Sequence, residues 1–596
     1  MTEGENGKEL TGVETNEGME RRRFLKSITQ LGGMALLTSF LAACGLRGAK
    51  PTPEPSSPTT ITGADLVLMN GNIITVDAQD TITQAVAVKD GKFAKIGSND
   101  DIKNLIGGKT NVIDLKGKTV TPGLVDSHIH VQYYGKQKWE GFADIRPPNV
   151  RSKEDLLRVV AEGANEIPKG EWVSGNQGFL LDMADSPDRW ELDSVAPNHP
   201  VYLKHMSGQY AVVNSRALEL AGINKDTPNP YGGVIVKDPS TGEPTGFLNH
   251  YIAQYLVGKL APGWGVRTDE ELMGDVKRGQ QLCLAAGYTS GQDVIVGNSR
   301  DVTAYRKVAE AHGLKMRMYL MQYVTSAPVA RREIEAAEHF KMEMLTFGGW
   351  KLAMDGGVAA GTALMYDTSL PMSRLSYEYH EQETVNAMVS SFHREGYQVS
   401  FHCAGDRAID MAINAIEAAL KETPNANHRH KIEHLLFPTP QAMKRIKELG
   451  ILVSTQPQWI SMFADGYERM SSEKAMERFM PVRTLMEMGI PVSFGCDVPA
   501  TPFVEPKWTF AGAVTRTTWA GNTYTPQESI SMQDVLRMHT MGSAYASFEE
   551  DIKGSIEEGK LADMVVWSHD LYSMSSMNQL KDLKAETTIV GGQVVY

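Results

Sequence analysis

"YQVSFHCAGDRAIDMAINAIEAALKE", residues 397–422, carries the pattern from which the fold of this chain is predicted. It opens with an apolar run of strand length that ends at His402. A second pattern follows, with apolar residues at Ile409, Ala412, Ile413, Ile416 and Leu420. This spacing places apolar side chains on one face of a helix. The stretch therefore predicts a strand followed by an amphipathic helix.

The same alternation continues on both sides of this stretch. After it come "KIEHL", "ILVSTQP", the helical "PVRTLMEMG" and "IPVSFGCD", which ends at residue 497. Repeated strand–helix units predict a parallel sheet, and a TIM-like (β/α)8 barrel is its simplest closure. We place this α/β barrel at residues 123–545. His130 and Lys351 lie too far apart for three βα units, so we expect an insertion at about 135–280, as a cap over the site or as surface decoration.

Both ends of the predicted barrel are flanked by short alternating strands. Residues 64–122 contain Asn70-Gly71 and Asp90-Gly91, which are strong hairpin turn signals. Residues 546–596 show the same texture in "GSIEEGKLADMVVW" and "AETTIVGGQVVY". We therefore predict a small β-sandwich domain formed from both chain ends.

Polar side chains occur where the predicted barrel strands end, which is where such barrels carry their chemistry. In "VTPGLVDSHIHV", residues 120–131, alternate residues share a face, so two histidines converge. The candidate metal ligands are His128, His130, Lys351, His402, His434 and Asp497. Nitrogen and oxygen donors of this kind suit Zn²⁺ and tolerate Mn²⁺, Fe²⁺ or Co²⁺. One or two divalent ions are expected, with Zn²⁺ first.

The first 63 residues are predicted to be a targeting segment and a tether rather than part of the fold. A basic stretch from Arg21 to Lys26 precedes an apolar segment from Leu31 to Ala43, which is shorter than the roughly 20 residues that span a bilayer. "RRRFLK", with Arg21 and Arg22, resembles a twin-arginine signal, and "LAAC" resembles a lipoprotein box with Cys44 as the lipidated residue. We predict a signal peptide at 1–43 and a Pro/Ser-rich tether at 44–63.

The predicted signal peptide and lipoprotein box imply a location and partners for the protein. We expect export by the twin-arginine machinery to the cell envelope, and a membrane anchor through the lipid on Cys44. The alternative is an ordinary export signal that is cut nearby, with Cys44 incidental.

The bulk composition excludes several other classes of protein. The 596 residues carry 59 Lys plus Arg and 72 Asp plus Glu, a net charge of -13, without a basic cluster beyond the N-terminus. No nucleic-acid partner is therefore expected. The four cysteines form no C-x-x-C pair, which argues against a disulfide scaffold.

Six motifs together make the chain recognisable: "TPGLVDSHIHV", "FGGWKLAMDGG", "FHCAGDRAID", "RHKIEH", "GCDVPATP" and "GSIEEGKLADMVVW". In this order they resemble the amidohydrolase superfamily, and among its branches amidohydrolase family 3, which includes N-substituted formamide deformylase-like enzymes. The resemblance extends from about residue 64 to the C-terminus.

The resemblance implies roles for the candidate residues. His128 and His130 would bind one metal with Asp497, and His402 and His434 a second metal, or the same metal together with substrate. Lys351 matches a lysine that can be carboxylated to bridge two metals; an unmodified lysine is the alternative. Asp497 would be the catalytic base that takes a proton from water and delivers it to the leaving nitrogen. Glu433 and Asp406 would orient histidines, or else be solvated or capping residues.

The function implied is hydrolysis of a small-molecule amide, N-formyl or carbamoyl C–N bond outside peptides. The alternatives are a cyclic-amide hydrolase, a deaminase, or a solute-binding lipoprotein that has lost its chemistry. Gly405 stands where superfamily deaminases resemble one another in carrying Glu, which speaks against deamination. Gln209, His250 and Cys496 depart from the family pattern, and the first two put substrate preference in doubt. A homo-oligomer is left open.

Overall fold

The computed structural model of this chain describes residues 63–137, 144–146, 149–174, 178–179, 181, 185–230, 232–262, 267–326, 328–329 and 340–596. The predicted signal peptide, with Arg21 and Arg22, lies outside these residues, as do Cys44 and the predicted tether up to residue 62. Among the described residues, no helix combines the length and apolar character needed to cross a membrane.

Eight parallel strands form a nearly closed barrel in chain order, as predicted. From first to last they are Leu124–Ile129, Tyr288–Val296, Arg317–Tyr323, Leu345–Ala353, Gln398–Cys403, Lys431–His434, Leu452–Thr455 and Val492–Phe494. Two backbone hydrogen bonds close the seam beyond the last strand, from Asp497 N to His128 O (2.9 Å) and from His130 N to Val498 O (3.1 Å). The first and last candidate ligands are therefore joined through the backbone.

Helices follow most of the barrel strands. The helices from the first strand onward and outside the insertion are Val131–Gln137, Asp269–Ala285, Ser299–Glu310, Gln382–Arg394, Asp406–Glu422, Pro440–Leu449, Gln458–Met470, Glu473–Met476, Val482–Glu487, Lys507–Thr515, Met532–Arg537, Ser543–Ala546 and Met577–Leu580. Short turns of 3₁₀ helix cover Pro371–Ser373, Pro526–Glu528 and Leu571–Ser573, and a π-helical turn covers Met538–Gly542.

The stretch 397–422 folds as predicted, into a strand that ends at Cys403 and a helix that starts at Asp406. The apolar face of the helix is buried, and Ile409, Ile413 and Ile416 have no exposed surface. Gly405 occupies the N-cap without a capping side chain. Asp355 instead fixes the turn before the helix, because its carboxylate accepts hydrogen bonds from the N–H groups of Ala404 (3.0 Å) and Gly405 (2.8 Å).

The two chain ends build the predicted additional β domain. A four-stranded sheet consists of Leu66–Met69, Ala85–Lys89, Lys92–Gly97 and Asn111–Asp114, with helix Asn99–Lys103 beside it. A six-stranded sheet consists of Asn72–Ile74, Ile82–Thr83, Thr119–Pro122, Met564–Trp567, Ala585–Val590 and Gln593–Val594. One apolar core contains Leu66 and Val86 from the first sheet and Val120 and Met564 from the second.

A separate five-stranded sheet lies within the predicted insertion. Its strands are Val173–Ser174, Val201–Lys204, Tyr210–Val213, Val234–Lys237 and Pro244–Asn249. The helices of this region are Lys153–Glu166, Arg189–Val195, Ser215–Leu220 and His250–Gly258. The turn between the second and third strands carries His205, Ser207 and Gln209 to the wall of the pocket described next. The exact boundaries of the insertion and of the two β segments stay predictions.

Candidate active site

All six predicted ligand residues line one pocket. They come from the carboxyl ends of five barrel strands, the first, fourth, fifth, sixth and eighth. Strand register explains part of the convergence, because His402 pairs in register with Ala353 on one side and with Glu433 on the other. The barrel rim therefore brings together side chains that are far apart in the sequence.

Asp497 lies at the centre of the histidines. Its Oδ1 is 3.0 Å from His130 Nε2 and 3.3 Å from His128 Nε2. His128, His434 and Asp497 each offer a ligand atom within 4.8 Å of the others. The His402 ring lies 4.4 Å from the His434 ring, between centroids. These distances make one compact cluster of nitrogen and oxygen atoms that can bind a metal ion.

Glu433 holds His128 from behind. His128 Nδ1 lies 2.7 Å from Glu433 Oε2, and the hydrogen bond places the ring proton on Nδ1. Nε2 is then the ring nitrogen that faces Asp497, at 3.3 Å from its Oδ1. Glu433 also accepts a hydrogen bond from Ser400 Oγ and forms an ion pair with Lys431 Nζ at 3.1 Å. Burial alone would raise the pKa of Glu433, but Lys431, Lys351 and His128 hold it well below its usual value.

Gln456 does the same for His434. Its Oε1 accepts a hydrogen bond from His434 Nδ1 at 2.7 Å, which leaves the lone pair of Nε2 free to bind a metal ion. Trp459 stacks on the His434 ring with 4.7 Å between centroids and 17° between planes. Sequence reasoning missed both residues. For Gln456 the available signal was a polar residue at the end of the predicted strand "ILVSTQP". Trp459, in the helix that follows, carried no such signal.

His402 contacts the backbone of the loop that follows the fourth strand. Its Nε2 donates a hydrogen bond to Gly356 O at 3.1 Å and lies 3.8 Å from Asp355 Oδ1. Burial, together with the Lys351 cation, lowers the pKa of His402 to about 4. The imidazole is therefore neutral at physiological pH.

Lys351 is almost completely buried beneath the histidines. Its Nζ lies 3.5 Å from Ser400 Oγ and 4.0 Å from Glu433 Oε1. Burial lowers its pKa to about 8 against the opposing effect of Glu433. Reaction with CO₂ requires the neutral amine, and this lowered pKa makes the neutral form more accessible. Carboxylation of Lys351 stays a prediction.

Asp406 lies apart from the histidines. Its carboxylate accepts a hydrogen bond from Tyr366 N at 3.0 Å and pairs with Arg478 at 3.4 Å. Its hydrogen bonds within the described chain are with these two groups. The placement supports neither the predicted orientation of a histidine nor the capping alternative, because no side chain caps this helix at Gly405 and the Asp406 carboxylate binds the loop at Tyr366 instead.

The seam of the barrel positions both ends of the cluster. Asp126 accepts hydrogen bonds from His128 N and from Cys496 N, each at 2.9 Å, so one carboxylate joins the two elements. His434 and Asp497 both adopt positive φ, 71° and 55°, which is costly for residues with side chains. Sequence reasoning also missed Asp126, although it lies on the same face of the strand as His128.

Gly495 is required at this seam, and Gly495→Ala is expected to damage it. A Cβ at this position would lie 2.6 Å from His128 N and 2.8 Å from Asp126 Oδ1. We expect the free energy of unfolding to fall by about 1–3 kcal/mol through overpacking. Thermal denaturation checks this, with Gly108→Ala as a control in open space and without a positive φ. An equal loss in both variants would contradict the steric account.

The charges of the site are balanced among its own groups. Burial alone would raise the pKa of Asp497, but contacts with His128 and His130 lower it well below its usual range. Burial lowers the pKa of His434, and the neighbouring His402 lowers it further. Near neutral pH the site therefore offers an ionised carboxylate beside the neutral imidazoles of His402 and His434. Burial alone would lower the pKa of His128, but the Asp497 and Glu433 carboxylates raise it above its usual value.

Comparisons with known proteins agree with this geometry. The family described as "Amidohydrolase family" matches residues 111–596. N-substituted formamide deformylase of Arthrobacter pascens is 28% identical over 548 residues, which is 89% of this chain and 98% of that protein.

Two solved structures share the fold. An uncharacterized metal-dependent hydrolase from Pyrococcus horikoshii OT3 superposes with a TM-score of 0.66 at 25% identity, over 86% of this chain and 98% of that one. Atrazine chlorohydrolase TrzN from Arthrobacter aurescens TC1, in complex with zinc, has a TM-score of 0.50 at 14% identity, over 89% of this chain and 95% of that one. At 14% identity the likeness concerns the fold alone.

Proposed function

This chain belongs to the amidohydrolase family and is a hydrolase, and we propose that it cleaves non-peptide C–N bonds of the amide, N-formyl or carbamoyl type. The observation that carries the proposal is the convergence of His128, His434 and Asp497 within 4.8 Å at the barrel rim. The formamide deformylase named above supports the choice of bond.

The donor set fits a divalent metal ion. The Nε2 atoms of His128 and His434 are left as lone-pair donors because their Nδ1 atoms donate to Glu433 and Gln456. Asp497 adds a carboxylate oxygen, and three such ligands with one open position are typical of catalytic zinc sites. When bound, the ion would polarise the scissile carbonyl and lower the pKa of the attacking water.

The chain itself supplies the proton transfers. The Asp497 carboxylate is ionised and lines the pocket, so it can accept the proton of the attacking water and then pass it to the departing nitrogen. Glu433 and Gln456 keep the two imidazoles in one tautomer. The apolar residues of the pocket wall, such as Leu436 and Val358, exclude bulk water.

Deamination is disfavoured by packing as well as by sequence. A Cβ at Gly405 would lie 2.1 Å from Leu364 O, so a larger residue cannot occupy this position without moving the loop. An acid at the position where superfamily deaminases carry Glu is therefore excluded by the backbone that surrounds it.

The direct test is hydrolysis by purified, metal-loaded protein of N-formyl, N-acyl and cyclic amides, with metal analysis of the same samples. We expect about one to two metal ions per chain and release of an amine. A metal-free protein that retains full affinity for a solute would favour the binding-protein alternative instead.

Lys351→Arg is expected to leave at most one bound metal, because arginine cannot be carboxylated to bridge two ions. Metal content after dialysis measures this. Lys421→Arg, on the exposed face of helix Asp406–Glu422, is the matched control and should keep the wild-type content. Two metals retained in Lys351→Arg would exclude the bridge.

We also propose that the protein is exported and anchored through Cys44, which lies outside the described residues. Support comes from "RRRFLK" and "LAAC" in the sequence. Cys44→Ser should move the protein from the membrane fraction to the soluble fraction of the envelope. Replacing Arg21 and Arg22 by lysine should instead block export. Persistent membrane association of Cys44→Ser would exclude lipidation at this residue.

A further inference from the structure

We propose that the pocket beside the reacting centre binds a flat, uncharged aromatic group, so that the substrates are neutral amides that carry an aromatic ring. This inference rests on the proposed function for the reaction itself, but the binding of the ring is a separate property of the pocket.

One wall of the pocket is aromatic and comes from a single helix. Trp459, Phe463 and Tyr467 recur every fourth residue of helix Gln458–Met470, so they share one face. All three line the pocket, and each is at most 7% exposed. The Phe463 and Tyr467 rings are stacked at 5.8 Å and 12°, and Trp459 meets Phe463 edge-on at 5.6 Å. A substrate ring has both faces and edges to pack against here.

The aromatic wall is continuous with the reacting centre. Trp459 stacks on His434, which is itself one of the candidate ligands. A ring bound on this wall is therefore next to a carbonyl held at the histidine cluster. Ile295, Val358 and Leu436 extend the apolar lining. An aromatic substituent on the scissile amide, rather than a distant one, fits this arrangement.

The charge of the lining favours a neutral substrate. Apart from the histidines, Lys351 and Asp497 are the ionised side chains among the described lining residues. The Lys351 cation is 1% exposed and lies 4.0 Å from Glu433, so its charge is already compensated. Ser207 and Gln209, which also line the pocket, are neutral. Away from the cluster that would hold a metal ion, a carboxylate on the substrate would lose its hydration without a compensating cation among the described lining residues.

Matched acetamides test this class. We expect hydrolysis of N-benzylacetamide to exceed that of N-(cyclohexylmethyl)acetamide by about 3- to 10-fold in kcat/KM, because a flat ring gains aromatic contacts while the two leaving amines have similar basicity. Anionic N-acetylglycine should be at least about 100-fold poorer than N-benzylacetamide. The isomers N-methyl-2-phenylacetamide and N-methyl-2-cyclohexylacetamide place the ring on the other side of the bond. Equal rates for the phenyl and cyclohexyl compounds in both series would overturn the proposal.

Ketone analogues separate binding from chemistry. The ketones 4-phenylbutan-2-one, 4-cyclohexylbutan-2-one and levulinate match the three acetamides but have no C–N bond to cleave. Calorimetric titration of the full protein should show the same order of affinity. If the order holds and no amide is hydrolysed, the proposed reaction fails and the ring site stands. If amides are hydrolysed without this order, the ring site fails.

Two variants assign the effect to the wall. Phe463→Leu removes one ring of the wall and should bring the phenyl-to-cyclohexyl ratio to about 1. Phe437→Leu makes the same change at a residue that is fully buried outside the lining, and should leave the ratio unchanged. Because the ratio compares two compounds on one protein, a loss of folded or metal-loaded protein cancels. An unchanged ratio in Phe463→Leu would overturn the assignment.

Discussion

Asp497→Asn should reduce kcat by about 10²- to 10⁴-fold while the fold is retained, since an amide cannot accept the proton of the attacking water. The asparagine keeps the shape of the side chain and an oxygen facing His128 and His130, which lie 3.3 and 3.0 Å from Oδ1. The measurement is kcat and KM on the best amide found, with circular dichroism and metal content recorded on the same samples.

The control for this substitution is Asp406→Asn. Asp406 is also a buried carboxylate, but its hydrogen bonds join Tyr366 and Arg478 outside the pocket. It should alter stability more than turnover, and its kcat should remain within about tenfold of wild type. Turnover of Asp497→Asn close to that of the wild type would refute the assignment of the base, and loss of turnover in both variants would point to a structural cause.

Lys431→Met is expected to lower the free energy of unfolding by about 3–5 kcal/mol, because it leaves the Glu433 carboxylate buried without its nearest cation. Lys431 and Glu433 are both fully buried, and their ion pair measures 3.1 Å. Lys431 Nζ also donates to Ser127 O at 3.0 Å and to Gln292 Oε1 at 2.7 Å, inside the barrel. Urea denaturation, followed by midpoint and slope, measures the loss.

A double variant identifies the source of this loss. Adding Glu433→Gln removes the uncompensated charge, so Lys431→Met/Glu433→Gln should be more stable than Lys431→Met alone. Lys444→Met, at a side chain that is 65% exposed, should change stability by less than about 0.5 kcal/mol. If the double variant is no more stable than the single one, the buried carboxylate is not the reason for the loss.

Local patterns in the sequence carried much of the fold. The strand and helix of residues 397–422 follow from a periodicity that is visible within this short window, and the structure confirms both. The H-x-H pair likewise follows from strand alternation, with His128 and His130 in the pocket and Ile129 in the core. Such features depend on neighbours in the chain, so the sequence alone displays them.

The partners of the ligands could not be predicted in this way. Gln456 and Trp459 contact His434 only because the sixth and seventh strands are adjacent in the barrel. Gly495 is needed because the eighth strand approaches the first at His128. Each of these contacts depends on which strands the closed barrel brings together, and no local sequence pattern encodes that arrangement.

By itself, the sequence determined the succession of strands and helices, and the residue types able to bind a metal at the strand ends. Only the tertiary structure decided that Asp497 lies between His128 and His130, that Glu433 contacts a ligand whereas Asp406 does not, and that an aromatic helix face borders the site. The physical reason is that periodicity reports which face of an element is buried, while closure of the barrel decides which faces meet.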